Sequence, residues 1–160
     1  MAKELMSFEG RRFKYATNFS GDPTKDKYHE SNRKGNLLIT QDEAKRLESM
    51  GFNVKMTKPV EGKESEYNPE WYIKIIVKFG ENETLWPKVY LLSGDNEPKK
   101  LGPDTIGMID DIWVGNVDVV CAPYEYEPGK FTLYVRFMYV TQNVDDDPYY
   151  AKYFKKGETE

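Results

Sequence analysis

Residues 71–79, WYIKIIVKF, constrain the fold of this chain more than any other stretch. Trp71, Ile73, Ile75, Val77 and Phe79 share one parity; Tyr72, Lys74, Ile76 and Lys78 share the other. Side chains alternate across a strand, so the spacing predicts a β-strand with one row in a core and a second row, headed by a ring, in solvent.

The same partition is expected twice more. In 86–92, Val89 and Leu91 form a core parity opposite Trp86, Lys88 and Tyr90. In 131–139, Phe131, Leu133, Val135 and Phe137 are expected inward, with Tyr134, Arg136 and Met138 outward. If the three strands adjoin, Tyr72, Trp86, Tyr90 and Tyr134 share one surface with Lys74, Lys78, Lys88 and Arg136. Two readings fit such a surface. Cross-strand ring–lysine pairs stabilise a sheet by packing alone. The same residue types also suit single-stranded nucleic acid, whose bases stack on rings while cations track the phosphates.

The remaining pattern is mainly β. Arg12–Phe19 reads as a short strand ending in the turn SGDP, and the polar segment up to Asn36 as a loop. NLLIT is a short strand, after which Thr40 and Glu43 form a capping box for a helix that places Ala44, Leu47 and Met50 on one face and stops at Gly51. FNVKMTK is a further strand, IGMIDDI a short helical turn, VDVVCA a strand, and KFTLYVRFMYVTQ a long strand after the turn EPGK. Six or seven strands with one early helix predict a small closed or partly open barrel, with a two-sheet sandwich as the alternative. Residues 1–142 form the expected domain. Residues 143–160 lose the alternation and read as a tail.

Charge and composition narrow the function. The net charge is −4, but residues 11–100 carry 17 basic and 14 acidic side chains and residues 101–160 carry 5 and 11. The first part therefore suits a polyanion although the whole chain does not. No apolar run approaches the roughly 20 residues of a membrane span, and the first residues lack a secretory pattern, so a cytoplasmic protein is expected. Cys121 is the one cysteine and is expected in the core. His29 is the one histidine, which leaves histidine-based zinc sites and catalytic triads without support. There is no glycine-rich phosphate loop. Asp110, Asp111 and Asp118, or the triplets beginning at Glu43, Glu61 and Glu97, could be read as a metal-dependent nuclease site, but triplets of this kind arise by chance in a chain that is 31% charged. No catalytic residue, metal or cofactor is expected.

Arg11, Arg12 and Lys14 with Phe13 and Tyr15 extend the cation–ring pattern, as do Arg33 and Lys34 ahead of Gly35; a solvated loop accounts for them equally well. Several phrases carry a likeness: NFSG at 18–21, Arg33-Lys34-Gly35-Asn36, LESMGFNVK, and IDDIWVGNVDVVCAPYEY followed by GKFTLYVRFMYVT. Over residues 12–142 the chain resembles small phage-encoded single-stranded DNA-binding proteins with an OB fold. That resemblance implies a five-stranded barrel core with extra strands, a single-stranded DNA partner during replication or recombination, and no catalysis. It supplies no contact residues. It also implies a partner-recruiting role for the tail, where Asp145, Asp146, Asp147, Tyr149, Tyr150 and Phe154 are the candidates, although Lys155 and Lys156 follow them. A solubilising tail, or an accessory protein whose acidic second half engages a basic partner, is the alternative.

Overall fold

The computed structural model describes residues 4–25, 32–59, 61–63, 65, 68–94 and 97–142, so the acidic and aromatic tail lies outside the described residues. The elements run β1 Met6–Arg11, β2 Phe13–Asn18, β3 Arg33–Ile39, α1 Gln41–Met50, β4 Val54–Met56, β5 Trp71–Val77, β6 Lys88–Leu92, β7 Lys99–Leu101, β8 Val114–Glu127 and β9 Lys130–Gln142.

Hydrogen bonding orders the sheet β1-β8-β9-β5-β3-β2, antiparallel throughout except for β5 against β9. The two ends of this path are halves of one segment. β1 stops at Arg11, β2 starts at Phe13, and the Arg12 carbonyl between them accepts the Leu38 N–H at 2.9 Å. One bent strand therefore pairs with β8 through its first half and with β3 through its second. The sheet returns on itself as the expected five-stranded, OB-type barrel, and the sandwich alternative does not describe it. Three short strands are added: β4 beside β5, β6 on the β9 edge beyond β5, and β7 outside β6.

Local chemistry explains α1. Thr40 accepts the Glu43 N–H, and the Glu43 carboxylate accepts the Thr40 N–H, which closes the predicted box. Ala44 and Leu47 are buried as expected, but Met50 is 40% exposed and belongs to the surface. Glu43 also receives Arg11 through two contacts of 2.6 and 2.8 Å, which ties the helix start to β1. Burial raises the Glu43 carboxyl, but the Thr40 N–H and the Arg11 guanidinium outweigh it, so its pKa lies below the ordinary value. A depressed carboxylate contributes stability that is present above its unfolded pKa and lost as pH falls through the folded one. Glu43→Gln is therefore expected to flatten the acid limb of a urea-midpoint-against-pH curve below about pH 4.3; an unchanged limb would contradict this account of the helix start.

The core is one cluster that includes Leu37, Ile75, Val89, Val117, Leu133 and Val140. Cys121 is within it, and burial pushes its thiol up to about 12, which suits a packing residue. The 3₁₀ turn Ile106–Asp111 buries Ile106 and Ile109, and the Asp110 carboxylate accepts from Thr17 Oγ1, Phe19 N–H and Ser20 N–H. No helix among the described residues is long and apolar enough to cross a membrane.

Candidate nucleic-acid interface

β5 keeps the predicted parity. Ile73, Ile75 and Val77 are buried, Trp71 and Phe79 pack against the core, and Tyr72, Lys74, Ile76 and Lys78 lie on the outer side. Register carries that outer row across the barrel wall. Lys34 of β3 opposes Ile76, Ile76 pairs with Tyr134 of β9, and Tyr134 opposes Ala122 of β8. One step along, Lys14 opposes Asn36 and Asn36 opposes Lys74. β4 places Lys55 opposite Tyr72. From β8 come Tyr124 and Tyr126, 53% and 50% exposed, and Tyr124 meets Tyr134 edge to face at 5.2 Å.

Two grooves meet at Tyr134. One, of about 510 Å³, is lined by Tyr124, Tyr134, Lys78 and Arg136 together with Leu85 and Pro87 of the loop after β5. The second, of about 380 Å³, is bounded by Lys55, Lys74, Tyr126 and Tyr134. Both volumes are in the range of small-ligand pockets, and each groove pairs ring surface with a cationic rim.

Tyr72 stands at the far end of this face, with its ring edge to face against Tyr15 at 5.5 Å. Burial, and then the nearby Tyr15, raise its phenol. Tyr15 is held at φ 63°, a left-handed backbone unusual for a ring-bearing residue, and is 59% exposed. Lys14 lies over the Tyr15 ring and bonds Glu70 at 2.7 Å; that hydrogen bond raises the Lys14 ammonium against the opposing effect of burial.

Other expected members of the surface stand elsewhere. Trp86 is outside β6: it follows the 3₁₀ turn Glu83–Leu85, packs on Phe79 and donates its ring N–H to the Gly80 carbonyl at 2.6 Å. Pro87 separates it from the strand, so the expected Trp86–Lys88–Tyr90 row begins at Lys88. Arg33 donates to the Phe19 and Ser20 carbonyls and lies over Phe79, which makes it a brace of the loop behind the face. Arg12 lines a different depression, with Asp110 and Ile112.

The three strands do adjoin, though not side by side. β5 and β6 pair with one edge of β9 at successive positions, 133–134 and 137–141. Between them the register of β9 against β8 slips, Val120 facing Phe137 and Cys121 facing Val135, so Arg136 is an extra residue. This β-bulge corrects the expected parity: Met138 is fully buried and Phe137 is 37% exposed. Lys88 and Tyr90 consequently stand beside Phe137 and Tyr139, in a cluster separate from Tyr134.

Lys55, Tyr124, Tyr126, Phe137 and Tyr139 were absent from the expected surface. The alternating YEYE of 124–127 held the signal for two of them, since both tyrosines share a parity. Three of the carboxylates weighed as a nuclease site have other partners: Asp110 anchors residues 17–20, Asp118 accepts the Gly10 N–H at 2.8 Å, and Glu43 caps α1. Among the described residues no group of three His, Cys, Asp or Glu side chains could hold a metal ion.

Comparison with known proteins adds a family. The family model described as "Putative phage ssDNA-binding domain" matches residues 1–157. Among solved structures, gp2.5, a single-stranded DNA binding protein encoded by bacteriophage T7, is similar at 14% identity over 97% of each chain, with a TM-score of 0.40. No curated protein matches.

Proposed function

The chain belongs to this family of phage ssDNA-binding domains, and from that premise we propose that it coats single-stranded DNA without reading sequence, through the outer face of β5, β9 and β8. The observation that carries this reading is the convergence of Tyr124, Tyr126 and Tyr134 with Lys55, Lys74, Lys78 and Arg136 around two adjoining grooves. Ring faces accept any unpaired base, whereas in a duplex both faces of a base are covered by its neighbours. The cations follow the backbone, so phosphate contact is independent of sequence.

The role that fits is non-catalytic protection of exposed strands during phage DNA replication or recombination, in the host cytoplasm. The segment 143–160, with Asp145 to Asp147 and its aromatic residues, is proposed to recruit replication or recombination proteins.

A titration with single-stranded and duplex oligonucleotides at two salt concentrations tests the reading. The single strand is expected to bind more tightly, with affinity falling steeply as salt rises. Each lost phosphate contact reduces the slope of log K against log salt by about 0.7, so Lys74→Gln with Lys78→Gln should reduce it by about 1.4. Equal affinity for duplex, or an unchanged slope in that variant, would overturn it.

A further inference from the structure

We infer that the bulge at Arg136 opens a second contact for single-stranded DNA, on the outer face of β7, β6 and β9, which the strand reaches only after filling the first. The inference rests on the function proposed above.

The bulge has a specific effect on which side chains meet water. Had β9 kept the alternation that buries Phe131, Leu133 and Val135, Phe137 and Tyr139 would face the core and Met138 the solvent. The inserted residue reverses this: Met138 and Val140 are buried, while Phe137 and Tyr139 are 37% and 40% exposed. Rings left 37% and 40% exposed gain less from burial than they would in the core. A single exposed ring would need no explanation.

Here the rings are grouped, and cations surround them. Tyr139 stacks on Tyr90 with centroids 5.4 Å apart and planes 9° from parallel. Lys88 pairs with Phe137 and lies over its ring at 5.9 Å. Lys100 of β7 opposes Tyr90, which places it on the same face. Asp118 is an acidic neighbour, opposite Tyr139, with one oxygen taken by the Gly10 N–H. Rings interleaved with Lys88, Lys100 and Arg136 reproduce the chemistry of the first face.

Continuity selects the occupant. Arg136 lines the first groove and directly precedes Phe137, so a backbone held by Lys78 and Arg136 is already at the border of the second cluster. Tyr134 and Tyr139 are five residues apart on β9, about 16 Å at strand rise. A short oligonucleotide therefore fills the first face, and only a longer one engages both.

The test compares oligo(dT) of about 5 and about 15 nucleotides, near the limits for single OB folds, on the native full chain, on Tyr139→Ala and on the surface variant Lys88→Gln with Lys100→Gln. Circular dichroism and sedimentation check fold and association. Tyr139→Ala is expected to weaken the longer oligonucleotide roughly 5- to 160-fold, the loss of one stack, and to leave the shorter unchanged. The lysine variant should reduce the salt slope for the longer one by about 1.4 and spare the shorter. Equal loss at both lengths, or none at the longer, would overturn the second contact while the native protein's binding kept the first intact. A change in association state without a length effect would instead assign the cluster to contacts between copies. Failure of the native chain to bind either length would remove both readings.

Discussion

Replacing Tyr124 and Tyr134 together by alanine is expected to weaken binding of single-stranded DNA by about 2–4 kcal/mol, measured by fluorescence titration at fixed salt. Each ring that stacks on a base contributes on the order of 1–3 kcal/mol. The sum is reduced because the two rings touch, and residues in contact are not additive. At 5.2 Å and 80° the two rings meet edge to face, so each single variant should already lose part of the other's contribution. Both residues are on the outer side of their strands, and neither belongs to the buried core cluster, so the fold should survive. Trp86→Ala is the contrasting variant. Its ring N–H is taken by the Gly80 carbonyl and its ring meets Phe79 at 78°, so it braces the turn after β5 and lines neither groove. A Trp86 variant weaker than the double tyrosine variant would mean that the stacking platform is misplaced.

Gly51→Ala is expected to destabilise the protein by about 2–5 kcal/mol in urea unfolding. Two effects combine. Gly51 caps α1 at φ 104°, where a side chain costs about 1–2 kcal/mol. An added Cβ would also lie 2.1 Å from the Gly129 carbonyl oxygen in the β8–β9 turn, a backbone clash that forces a shift costing about 1–3 kcal/mol. The contact cannot open freely, because Phe131 N–H donates to the Gly51 carbonyl at 3.0 Å and Phe52 bridges Phe131. Gly62 provides the control: it is also left-handed, at φ 85°, but nothing among the described residues lies within 4 Å of the added carbon. Gly62→Ala should cost only the backbone share, about 1–2 kcal/mol. Similar losses in the two variants would show that the helix cap is not wedged against the hairpin.

The sequence made the framework legible where one physical signal dominated. Strict alternation over 71–79 located β5 and its outer lysines, Thr40 and Glu43 marked the helix start, and the turn EPGK located the start of β9 at Lys130. Elements whose burial is confined to one or two residues escaped. β1 has Phe8 as its buried side chain, and β7 has Leu101, so neither presents a period to detect. The bulge is a different kind of miss: it depends on how β9 pairs with β8, and RFMYV alone does not say where an extra residue is inserted. That single slip decided whether Phe137 or Met138 met solvent. Tyr124 and Tyr126 were missed because the expected strand VDVVCA ends at Ala122, whereas β8 continues to Glu127. Trp86 was misplaced for the opposite reason, an alternation extended through Pro87 beyond the strand's true start.

The bent first strand also sets a schedule for folding. β1 finds its partner in β8, with Met6 opposite Cys121, and β5, already paired with β3, lacks β9 until Leu133 arrives. The barrel thus joins the earliest-made strand to the last pair synthesised, and loop closure over such separations makes assembly slow. A ribosome-bound chain cut short of the β8–β9 hairpin has nothing with which to shut the seam. Cooperative structure in the nascent protein should consequently arise as a late, single event, once the hairpin has left the exit tunnel.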